Sequence, residues 1–136
     1  MRREAELVAQ TDAWLSTRLP DLQALYLFGS TAAGHDQRDS DLDLAVLLPR
    51  PLTALARWEL EQGLAHALGR DVDLVDLRGA STVMRVQVVA YGRLLIDRDP
   101  PIRALFEALA LSDYARLNEE RRAILRDVQL RGSVYG

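Results

Sequence analysis

Between Asp41 and Leu48 the chain alternates without a break: Leu42, Leu44, Val46 and Leu48 fall to one side of an extended backbone, and Asp41, Asp43 and Ala45 to the other. Successive strand side chains point to opposite faces, so this period predicts a strand with one apolar face. Upstream, Leu7, Val8 and Leu15 recur at helical spacing over residues 2–18 and stop near Pro20, which predicts a first helix. The apolar run QALYLF at 23–28 is a short strand ending at Gly29. Pro49 and Pro51 close the alternating strand, Thr53 caps a helix that Gly69 terminates after Leu68, and Val72–Leu77 forms a third strand. Ser81 caps a helix to about Tyr91, Gly92 turns the chain into a brief strand at 93–97, and Pro101 opens a long helix to about Leu130, leaving RGSVYG as a loose tail.

This order of elements predicts an α/β or α+β fold with a short mixed sheet flanked by helices. With 136 residues and no linker, repeat or low-complexity segment, residues 1–136 are expected to form a single domain. The formal net charge of -3 argues against direct nucleic-acid binding. All 17 basic residues are arginine, which excludes Schiff-base lysines and lysine-headed phosphate loops. The absence of cysteine excludes disulfides, thiolate metal sites and thiol nucleophiles. No signal peptide or membrane-spanning run is visible, so the expected location is cytoplasmic.

Asp41 and Asp43 share one face of their strand, and two carboxylates forced together call for a raised pKa or a divalent cation; oxygen ligands of this type suit magnesium or manganese. The third strand carries Asp71, Asp73 and Asp76. Parity puts Asp71 and Asp73 on one face and Asp76 on the other. Asp73, flanked by Val72 and Leu74, is the preferred third ligand, with Asp71 at the strand entrance as the alternative. Gly29 and Ser30 end the first strand where STAAG opens a turn with free backbone amides, an arrangement that binds phosphate oxygens or simply caps the turn. His35 is expected to be an exposed loop residue, His66 a partly buried structural residue of the helix that includes Trp58 and Leu64, and Arg121, Arg122 and Arg126 with Glu119 and Glu120 a solvated helix face.

The pattern G-S-x10-D-x-D, filled by Gly29, Ser30, Asp41 and Asp43, followed by Asp73 in a DLVDL strand, resembles the minimal nucleotidyltransferase (MNT) family of the DNA polymerase beta superfamily, and within it the antitoxins encoded beside HEPN-domain toxins. The likeness runs through YGRLLIDRD at 91–99 and the closing helix. It implies the polymerase beta-like nucleotidyltransferase fold and a protein adenylyltransferase that moves AMP from ATP to a tyrosine of a HEPN ribonuclease. The resemblance further implies two metal ions bridged by Asp41 and Asp43, Asp73 on the ion nearest the nucleophile, and Gly29 and Ser30 on the beta and gamma phosphates. The chain departs from its relatives after the serine, where TAA replaces an expected basic residue, so neutralisation of the phosphates falls to metal, backbone amides and Arg38. Two alternatives stand beside this: an antitoxin acting by contact alone, and a transferase acting on a small-molecule hydroxyl.

Overall fold

The computed structural model describes residues 2–29 and 41–135, with side chains from residue 4 to residue 131. Its elements follow in the order α1 (Arg2–Arg18), β1 (Ala24–Phe28), β2 (Leu42–Leu47), α2 (Ala54–Leu68), β3 (Val72–Asp76), α3 (Thr82–Tyr91), β4 (Arg93–Asp97) and α4 (Pro100–Tyr135). The four strands form one mixed sheet in the order β3-β2-β1-β4. β1 runs antiparallel to β2 and to β4, and β2 runs parallel to β3.

Strand alternation divides the core into two layers. Leu42, Leu44 and Val46 of β2, with Leu25, Leu27, Val72 and Leu74, pack beneath Leu15 of α1 and Leu64 of α2. Ala45 and Leu47, with Ala24 and Tyr26, pack beneath Val88 of α3 and Phe106 of α4. The sheet is therefore covered by helices on both faces. The second layer contains a polar tie: the Tyr26 hydroxyl donates to Glu107 at 2.9 Å, and Arg103 joins Glu107 to Asp97 at 2.8 and 2.9 Å. Burial, and then the Glu107 carboxylate, push the Tyr26 pKa upward, so the phenol stays a donor and fastens α4 to β1.

The helix ends are set by the residues the sequence marks. The Thr53 side chain accepts from the Ala56 N–H and the Ser81 side chain from the Met84 N–H, each at 3.1 Å, satisfying first-turn amides that have no partner within the helix. Gly69 closes α2 in the left-handed region at φ 66°. The expected loose tail is a correction: α4 runs on to Tyr135 rather than stopping near Leu130. Gly132 is the residue there that opposes helix, at about 1 kcal/mol, and no proline follows to end the hydrogen-bond ladder. No helix among the described residues is long and apolar enough to cross a membrane.

Candidate active site

Two strand registers build the site. In the antiparallel β1–β2 ladder Phe28 lies opposite Asp43, and in the parallel β2–β3 ladder Asp43 lies beside Asp73. Gly29 leaves β1 at the position adjoining Asp43, with φ at 74°. A Cβ at Gly29 would stand 2.1 Å from Oδ2 of Asp43, so the absent side chain is what lets the backbone pass against the carboxylate.

Asp43 is half-buried, whereas Asp41 and Asp73 are exposed at the mouth of the sheet. The Asp43 pKa is raised, first by burial, then by the Asp73 carboxylate and then by Asp41. The three acidic groups thus share one electrostatic environment. Asp71 is exposed before β3, where its carbonyl accepts from the Leu42 N–H at 2.9 Å. Asp76 faces the other way, as parity requires: buried, its carboxylate accepts from the Leu52 and Arg78 amides at 2.7 and 3.2 Å and shapes the turn after β3. Ser30, His35 and Arg38 lie outside the described residues.

Among the described residues, no set of three or more His, Cys, Asp or Glu side chains is closed around a common metal position. The donor chemistry at the sheet mouth nevertheless suits magnesium or manganese, being carboxylate throughout, and magnesium sites characteristically combine one or two carboxylates with substrate phosphates and water. A cation there would offset the repulsion that Asp41 and Asp73 exert on Asp43.

A further feature was not legible from spacing. On the outer edge of β3, the Glu61 carboxylate accepts the Leu74 N–H at 2.8 Å while Arg57 donates to the Leu74 carbonyl at 2.9 Å and to Glu61 at 2.8 Å. Arg57 and Glu61 stand four apart on α2, the spacing of a helical ion pair, but nothing in that spacing names a strand as their target.

Residues 12–101, which include Gly29 and all the acidic residues of the sheet mouth, match the model of the polymerase beta nucleotidyltransferase family. The chain belongs to that family. As a nucleotidyltransferase it is 49% identical over 114 residues to the protein adenylyltransferase MntA of Shewanella oneidensis, covering 84% of this chain and 81% of that protein. A crystal structure of a toxin–antitoxin with AMP-PNP contains a chain 46% identical, with a TM-score of 0.80 over 90% of this chain and 98% of that one. The structure of a tri-AMPylated Shewanella oneidensis HEPN toxin in complex with MNT antitoxin contains a chain 42% identical, with a TM-score of 0.76 over 92% and 98%. The family fold expected from the Gly-Ser and Asp-x-Asp pattern is therefore the observed one.

Proposed function

We propose that this nucleotidyltransferase is an antitoxin that transfers AMP from ATP to a tyrosine of a cognate HEPN-domain ribonuclease toxin and also binds that toxin directly. The carrying observation is the close approach of Gly29 to Asp43 and the register that sets Asp43 beside Asp73, within a chain 49% identical to a protein adenylyltransferase. Residues 1–136 act as one domain in this reading, in the cytoplasm where such a toxin would meet RNA.

Asp41 and Asp43 hold the metal pair in this scheme, with Asp73 as the third ligand, and Gly29 and Ser30 orient the beta and gamma phosphates. Two magnesium ions, when bound, neutralise the triphosphate and lower the pKa of the attacking hydroxyl. The phenolic oxygen forms a bond to the alpha phosphorus as the bond to the bridging oxygen breaks, and pyrophosphate leaves with that electron pair. The Asp73 carboxylate, on the strand beside Asp43, takes the phenolic proton. The added AMP brings bulk and negative charge to a surface that must receive RNA phosphates, so occupancy and repulsion both oppose cleavage.

The test incubates the protein with labelled ATP, magnesium and the cognate toxin, and repeats it with Asp41→Asn plus Asp43→Asn. Label on wild-type-treated toxin that falls to background with the double variant is expected. Equal protection from the toxin by both proteins, with neither labelling it, would replace transfer by contact alone.

A further inference from the structure

Beside the carboxylates a groove of about 640 Å³ runs along the outer edge of β3, between α2 and α3. Its lining includes Asp73 at the catalytic end, Ala54, Arg57 and Glu61 from α2, and Ser81 and Met84 from the start of α3. The volume lies within the range of clefts that hold a small ligand or a large side chain, roughly 300–1,000 Å³. Among the described residues β3 has no neighbouring strand on this side. Such an edge ordinarily invites an extended peptide to add as a further strand. Here the outward N–H and C=O of Leu74 are already engaged by Glu61 and Arg57, so strand addition is blocked at the middle of the edge. What enters must do so by side chains.

Exposed apolar side chains stand on the two helices that bound the groove. Trp58 is four residues after Ala54 and three before Glu61, which makes it their neighbour on the surface of α2, and it is 52% exposed. Leu55 is exposed one turn earlier on α2, and Val83 is exposed in the first turn of α3, next in sequence to Met84. Tryptophan is enriched among the residues that anchor protein interfaces, and this one is exposed on the helix that supplies Arg57 and Glu61 to the groove.

We infer that this groove is the acceptor site: a folded surface of the partner protein rests on Trp58, Leu55 and Val83 and lowers its acceptor tyrosine along the β3 edge toward Asp73. The inference rests on the adenylyltransferase reading above and adds where the acceptor binds and by what contact. The continuity of the groove with Asp73 selects this occupant, because a hydroxyl seated there reaches the one carboxylate assigned to the nucleophile's side.

The test measures steady-state AMP transfer to the cognate toxin by the full chain and by Trp58→Glu, Ala54→Trp and Trp58→Phe, with Ile124→Glu on the exposed far part of α4 as a contrast. Thermal unfolding and magnesium-ATP binding are followed in each to confirm that the variants are folded. Trp58→Glu and Ala54→Trp are expected to raise KM for the toxin at least tenfold with kcat changed less than twofold, and Trp58→Phe to restore it. A rise in KM for ATP instead of the toxin would make the groove a nucleotide pocket and overturn the inference. So would wild-type toxin KM in Trp58→Glu, or a tenfold rise in Ile124→Glu alone. If the wild-type chain transfers no label at all, the adenylyltransferase reading fails and the acceptor site falls with it, an outcome distinct from intact transfer with an unmoved KM.

Discussion

The glycine at 29 is required for two separable reasons, and a second glycine isolates one of them. Both Gly29 and Gly69 hold positive φ, at 74° and 66°, where a side chain is strained. Only Gly29 has Asp43 pressed against it; around Gly69 nothing lies within 4 Å of an added Cβ. Gly69→Ala is therefore expected to cost about 1 kcal/mol of stability through backbone strain, with AMP transfer unchanged. Gly29→Ala carries the same strain and must also displace the Asp43 carboxylate, so transfer is expected to fall by on the order of 100-fold or more, the scale at which misplacing a catalytic group by about 1 Å acts. Chemical denaturation and initial rates on the two variants check the contrast; equal activity in both would mean that the close approach is not used. At this scale much of the site was legible. Parity alone separated Asp73 from Asp76, and the structure finds Asp76 buried as an amide acceptor on the opposite face. The contact between Gly29 and Asp43 was not legible, because it depends on the register that sets Phe28 against Asp43.

Elements whose limits are set locally were read closely, and those set by long-range pairing were not. Thr53, Gly69 and Ser81 act through hydrogen bonds within four residues, so α2 and the start of α3 follow from the sequence around them. The strand order β3-β2-β1-β4 reflects contacts between residues far apart in the chain, which periodicity does not encode. The clip on β3 belongs to the same class: it replaces a missing strand with two side chains of α2. Glu61, with 14% of its side chain exposed, satisfies the Leu74 N–H and holds Arg57 against the Leu74 carbonyl. Glu61→Ala removes the acceptor and leaves a partly buried amide unpaired, at an expected cost of about 1–3 kcal/mol. It also returns the edge to a form that pairs with other chains. Urea denaturation is expected to show the lower midpoint, and size-exclusion chromatography stronger concentration-dependent association than the wild type shows. A variant as stable and as monodisperse as wild type would show that the clip does not protect the edge.

For the molecule as a whole, the arrangement proposed to serve catalysis works against folding. Asp43 is placed by β2 between two other carboxylates and half-buried, and its pKa is raised by burial, by Asp73 and by Asp41. A carboxylate whose pKa is raised on folding binds its proton more tightly in the native state, so unfolding releases it and stability falls with rising pH. Below the ordinary aspartate value of about 3.9 the group is protonated in both states and contributes no difference. As pH climbs from there through the raised native value the penalty grows, and above that value it is constant. Asp43→Asn removes the penalty, so the metal-free variant is expected to melt above wild type at pH 7–8, with the gain vanishing near pH 3.5. The comparison reports on this carboxylate together with the repulsion it shares with Asp41 and Asp73, the remaining titrating groups being common to the two proteins. Saturating magnesium and ATP are expected to reverse the order: ligand present at about 100 times its Kd stabilises a protein that binds it by about 2.7 kcal/mol, and with Asp43 as a metal ligand, as proposed, the variant forfeits most of that. Melting curves in chelator and in magnesium-ATP, across pH, therefore show the two proteins crossing. A metal-free variant that melts below wild type at neutral pH would mean that the carboxylates stabilise one another through some other contact, and the reading of the sheet mouth as a cation site would lose its electrostatic basis.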